Sequence, residues 1–209
     1  MGERPQNIEP DRHIDSPNTD KPHINVAGHL RRASKIIDGE FIWCDDDTFT
    51  VRPWTLGVYV RDYSIAGMLR LYPSRGHWSH AVRASIKVME SWGFDPENVP
   101  CGTIHRPWLV ATDRVLRTLS ALDAVGGGSF KALYVAGLDD VIVAGDAKVH
   151  GRAVPKPDAD VISVFHDSWK ANAGRIIRET FIEPSRWETQ LAEVAAASVR
   201  RGPRRHHRR

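Results

Sequence analysis

The chain has 209 residues, 41% of them hydrophobic, and seven tryptophans, which suffices for one core and so for one domain with appendages. It contains no apolar run long enough to span a membrane, and Met1-Gly2-Glu3-Arg4-Pro5 opens no signal-peptide core. The net charge of +3 hides an asymmetry: six arginines lie in the last ten residues, and taking those six charges from +3 leaves −3 on the rest.

In chain order, residues 1–20 are polar and proline-rich and read as an extended lead-in. Val26, Leu30, Ala33 and Ile37 then fall on one helical face, and Gly39 stops that helix. Phe41-Ile42-Trp43-Cys44 reads as a buried strand. Leu56–Val60 and Met68–Tyr72 read as strands, with a turn at Pro73-Ser74-Arg75-Gly76. Trp78, Val82, Ile86 and Met89 define a second helix that ends at Gly93. A proline-containing loop over 94–104 follows. Val115, Leu116, Leu119 and Leu122 mark a third helix, broken by Gly126-Gly127-Gly128. That glycine run lacks a Lys-Ser or Lys-Thr ending, so it reads as a hinge and no phosphate cradle. Ala147–Val149 and Val161–Phe165 read as strands, and Asp167 as the cap of a helix running to about Glu179. Ser185 and Glu188 form a capping box for a last helix. Alternating helices and strands argue an α/β fold. Residues 21–198 form the domain, and 199–209 a disordered arginine-rich tail, expected to touch anionic surfaces only weakly. Cys44 and Cys101 lie far apart and read as free thiols.

The most informative stretch is Phe41-Ile42-Trp43-Cys44-Asp45-Asp46-Asp47. An apolar strand delivers three consecutive carboxylates to its C-terminal end, where open α/β folds bind ligands. Three like charges together call for a cation, and carboxylate oxygens suit Mg²⁺ or Mn²⁺. With i and i+2 on one side of a strand, Asp45 and Asp47 would share the ion. The same residues also suit a plain acidic turn. His105, beside Arg106-Pro107, is a candidate catalytic residue or a packed residue at a helix entry. His166-Asp167, at the end of a strand, would supply a third metal ligand or orient an acceptor hydroxyl, or else be an exposed His beside a capping Asp. Asp146 is the best placed carboxylate for a general base, ahead of Asp139 and Asp140. Lys148 would pair with Asp146 or with phosphate. Lys21, Arg31 and Arg32 lie where a helix start could meet phosphate, although a solvated surface suits the two arginines better.

The order of these pieces resembles a group of glycosyltransferase-like proteins common in phages of actinobacteria, similar in look to the Stealth capsule-polymer transferases. The matching pieces are Asp20-Lys21 with Asn25; Phe41 to Phe49; His105-Arg106-Pro107; Asp146-Ala147-Lys148; Ser163 with Asp167; and Phe181-Ile182-Glu183-Pro184-Ser185-Arg186-Trp187-Glu188. They cover roughly residues 3–190. The resemblance implies a GT-A fold, a Rossmann-like sheet that uses a nucleotide-sugar donor and Mn²⁺ or Mg²⁺, in the cytoplasm of a bacterial host. It implies that Asp45 and Asp47 hold the metal, that Lys21, Asn25, Asp46 and Lys148 bind substrate, and that Asp146, His105 and His166 are catalytic. The acceptor would be a glycan or a protein. The acidic motif arrives too early for the usual first strands of the nucleotide half, so the chain is expected to lack them and to be incomplete at its start. Three rival readings remain: transfer of a sugar phosphate, an inactive remnant that only binds, and a metal-dependent phosphohydrolase or nuclease.

Overall fold

A computed structural model describes residues 19, 22–45, 47–73 and 76–182. The lead-in, Lys21, Asp46, the Ser185/Glu188 helix and the arginine tail lie outside the described residues.

The fold is mixed α/β. Helix α1 (Pro22–Ala33) buries Leu30 and Ala33, as its apolar spacing predicts. Strand β1 (Glu40–Trp43) follows Gly39. It is half-buried, with Phe41 and Trp43 turned to the core and Ile42 53% exposed, so it follows the two-residue alternation of a strand with one wet face. It pairs antiparallel with β4 (Trp108–Ala111), with Trp43 opposite Trp108. Among the described residues no other strand joins this pair.

The chain then changes sheet. Cys44 and Asp45 leave β1 without regular structure, Asp47 lies in a turn, and β2 (Thr48–Thr50) pairs antiparallel with β7 (Val161–Val164). Strand β6 (Lys148–Val149) lies parallel on the other side of β7. A third pair joins β3 (Tyr59–Val60) and β5 (Ile142–Val143) in parallel. The strands thus form three small sheets.

The expected strand over Met68–Tyr72 is instead part of helix α2 (Ile65–Leu71). Ile65 and Met68 are buried at helical spacing, and the Ser64 hydroxyl accepts the Gly67 N–H at 3.0 Å. Helix α3 (His77–Ser91) buries Val82, Val88 and Met89 but leaves Trp78 39% exposed. Helix α4 (Thr112–Ala124) buries Val115, Leu119 and Leu122, whereas Leu116 is exposed. Gly126 and Gly127, at φ 76° and 109°, turn the chain through the left-handed region that side chains disfavour. Ser129 then caps a five-residue helix, α5 (Phe130–Tyr134), which the sequence left unassigned. The single helix expected after Asp167 is two: α6 (His166–Trp169) and α7 (Asn172–Thr180).

Two cores result. The larger collects α1 to α5 with β1, β3 and β4, around fully buried Trp108. The smaller joins Ile162 and Val164 of β7 to Ala173 and Ile177 of α7, with Phe49 stacked on Trp169 at 5.6 Å. The segment that carries Asp45 and Asp47 connects them. No helix among the described residues is long and apolar enough to cross a membrane.

Candidate functional site

A cavity of about 490 Å³ opens beside the acidic turn. Its apolar side includes Val26, Trp43, Trp78 and Phe130, and its polar side includes Asp45, Asp47, Arg61, Thr103, His105 and Lys131. A concave apolar pocket with a few convergent polar groups is the ordinary form of a small-ligand site.

The polar wall is assembled from distant segments. The loop at 102–105 runs against α5, and Gly102 permits it: a side-chain carbon there would sit 2.4 Å from the Lys131 carbonyl oxygen. This contact brings the Ile104 carbonyl to Lys131 Nζ at 2.7 Å. The same ammonium donates to Asp45 Oδ2 at 2.8 Å and lies 4.7 Å from the ring centre of Trp43. The loop also carries His105. Its backbone N–H donates to Asp146 Oδ1 at 2.9 Å, and its ring Nδ1 lies 3.1 Å from the same oxygen. Arg61 completes this group, with its guanidinium on Asp146 Oδ2 and its Nε donating to the Thr103 carbonyl at 3.0 Å.

Asp146 stands just before β6, two residues from Lys148, whose side chain is 3% exposed. Lys148 Nζ donates to Asp47 Oδ2 and to the Val164 carbonyl, and it lies 3.8 Å from the centre of the Phe165 ring. Ser163 donates its hydroxyl proton to Asp47 Oδ1 at 2.9 Å. Asp146 also accepts from the backbone N–H of Lys148 at 3.4 Å, so the residue whose Nζ holds Asp47 is anchored to the carboxylate that holds His105.

These contacts set the charge states. Burial alone would raise the Asp146 pKa, but the hydrogen bonds from the His105 ring and backbone, with the charges of His105 and Arg61, hold it well below the usual carboxylate range. Asp47 behaves alike: burial opposes ionisation, and the hydrogen bonds from Lys148 and Ser163 with the Lys148 charge outweigh it, so its pKa is lowered. Both groups are carboxylates at neutral pH.

The structure thus brings together Asp45, Asp47, His105, Asp146 and Lys148 from the sequence-predicted set. Asn25 is not at the cavity; its side chain accepts the Thr19 N–H at 2.7 Å near the start of α1. His166 is exposed at the start of α6 and is not among the cavity-lining residues. Lys21 and Asp46 lie outside the described residues. Arg31 pairs with Asp123 at 2.6 Å, and Asp139 and Asp140 are exposed. Sequence reading missed Arg61 and Lys131. The signal for Lys131 was the Gly-Gly-Gly-Ser run, whose serine caps the helix that carries it.

The expected shared Mn²⁺ or Mg²⁺ meets a specific obstacle. Asp45 and Asp47 do line one cavity, but Lys131 holds the first and Lys148 the second. Among the described residues no three His, Cys, Asp or Glu side chains are grouped as metal ligands. As arranged, the two carboxylates are ion-paired and do not form a ready ligand set for a divalent ion. Comparison of the chain with protein-family models, curated proteins and solved structures returns no match.

Proposed function

We propose that this protein transfers a sugar from a nucleotide-sugar donor to a hydroxyl group of a glycan or protein acceptor, with His105 as the general base. The observation that carries the reading is His105 on the wall of the cavity, with Asp146 against its Nδ1. A carboxylate on Nδ1 fixes the ring tautomer with the proton on that nitrogen, which leaves the Nε2 lone pair to accept a proton. In the proposed step Nε2 takes the acceptor hydroxyl proton while that oxygen bonds to the anomeric carbon. The bond from that carbon to the diphosphate breaks, and the diphosphate leaves with the electron pair. Asp146 itself is a poor proton acceptor in this setting, because Arg61 and His105 stabilise its ionised form. Its proposed role is therefore to orient His105 and stabilise the imidazolium, in place of the base expected from the sequence.

Trp43 and Trp78 offer flat apolar faces to a base or sugar ring, while Arg61 and Lys131 offer positive charge to phosphates. The GT-A relation belongs to the same proposal. The carboxylates that motivate it, Asp45 and Asp47, line the cavity, while the three small sheets carry no feature specific to a GT-A fold.

A second reading is transfer of a sugar phosphate, favoured by the cations that Arg61 and Lys131 set on the wall that carries His105. The two differ in what leaves: nucleoside diphosphate for sugar transfer, nucleoside monophosphate for sugar-phosphate transfer. The test is to incubate the full chain with a panel of UDP-, GDP- and dTDP-linked sugars and candidate glycan acceptors, and to identify the released nucleotide. His105→Gln should lower turnover about 10²–10⁴-fold while donor binding persists. Absence of donor binding across the panel would refute both readings.

A further inference from the structure

Each of the three carboxylates around the cavity has its own protein cation: Lys131 for Asp45, Lys148 for Asp47 and Arg61 for Asp146. The two lysines differ in what they leave free. Lys148 is sealed between Asp47, the Val164 carbonyl and the Phe165 ring, and it is not among the cavity-lining residues. It serves as a buried counter-charge. Lys131 lines the cavity. An ammonium has three N–H donors. Asp45 and the Ile104 carbonyl take two of them, and the third has no partner among the described residues. Trp43 and Trp108, with ring centres 4.7 and 5.6 Å from Nζ, stabilise the cation where water is thinned out. A fixed cation with a spare donor suits a phosphate oxygen. A divalent ion at Asp45 would first have to displace Lys131, and would then lie beside the ammonium it had displaced.

We propose that Lys131 takes the place of a divalent ion: it is the cation that binds the diphosphate of the donor, and this site binds that group without metal. The inference rests on the nucleotide-sugar reading and fails separately from it. The probe is inorganic pyrophosphate, titrated calorimetrically into the full chain, once in EDTA and once with Mn²⁺. In parallel, the electron spin resonance signal of free Mn²⁺ is followed as protein is added. Binding in EDTA, with affinity no greater in Mn²⁺ because that ion itself complexes pyrophosphate, and an undiminished Mn²⁺ signal when protein alone is added are expected. Lys131→Met should weaken pyrophosphate binding by about tenfold or more, the scale of one lost charge-assisted hydrogen bond, and Lys131→Arg should restore part of it. Binding that requires Mn²⁺, or loss of the Mn²⁺ signal that Asp45→Asn abolishes, would overturn the proposal while leaving sugar transfer standing. No pyrophosphate binding in either buffer would overturn it as well. Should Lys131→Met fail to fold, the comparison of EDTA with Mn²⁺ on the unaltered chain still decides.

Discussion

At the scale of single residues, the arrangement around Asp146 and Asp47 makes opposite demands on substitution. Asp146→Asn preserves shape, but an amide can offer its N–H to His105 Nδ1, which favours the other tautomer and removes the lone pair from Nε2. Transfer should fall about 10²–10⁴-fold, with donor affinity changed far less. Steady-state kinetics that show a rise in KM alone would assign Asp146 to binding. Asp47→Asn acts on the fold instead. It leaves Lys148, 3% exposed, without its counter-charge, and breaking such a pair from one side costs about 3–5 kcal/mol. For a chain of this size each kcal/mol moves the melting temperature by about 2–4 °C. A thermal melt shifted by less than about 2 °C would show that Asp47 and Lys148 are worth little to the fold.

At the scale of elements, the sequence was legible where periodicity was long. The helices around Val82 and Leu119 and the strand before the acidic turn all stand where the pattern put them. The segment over 65–71 was misread because Met68, Leu69 and Leu71 fit a strand or a short helix equally well, and the Ser64 cap decides between them. Helix α5 was invisible for a similar reason. Five residues carry little periodic signal, yet its Lys131 lies at the centre of the candidate site. What joins α5 to the 102–105 loop is an approach that only glycine allows. Gly102→Ala would drive a methyl carbon to 2.4 Å from the Lys131 carbonyl and 2.8 Å from a Val135 methyl. Overpacking of this kind costs about 1–3 kcal/mol. Gly102→Ala is expected to lower the melting temperature and to weaken pyrophosphate binding. Gly145→Ala, where nothing lies within 4 Å, should do neither. Equal melting temperatures for the two variants would refute the close packing of loop and helix.

At the scale of the whole molecule, the sequence indicated an acidic turn but not what it connects. Its apolar lead-in belongs to the larger core and its exit strand to the smaller one, a division set by pairings more than 60 residues apart that no local pattern reports. The ties between the two parts include a set of ion pairs. Arg61 and His105 reach across to Asp146, and Arg106 reaches Asp160, at 2.9 Å, next to the start of β7. Asp160 has a lowered pKa like Asp146: burial opposes ionisation, and the hydrogen bond and charge of Arg106 outweigh it. The sign of the pH dependence follows. A carboxyl group whose folded pKa lies below its unfolded value of 3.8 stabilises the fold fully above that value, and the contribution disappears as pH falls toward the folded value. The melting temperature should therefore be nearly level from neutral pH to about 5 and fall between about pH 4 and 2. Because the ties lie between the cores, the loss should be local before it is global. Amide protection in β6, β7 and α7, expressed relative to the intrinsic exchange rate at each pH, should drop on acidification while α4 and β4 stay protected. Simultaneous loss of protection in both parts would show that the small core does not depend on these ion pairs. A melting temperature that rises between pH 4 and 2 would contradict the depressed carboxylate pKa values on which the argument stands.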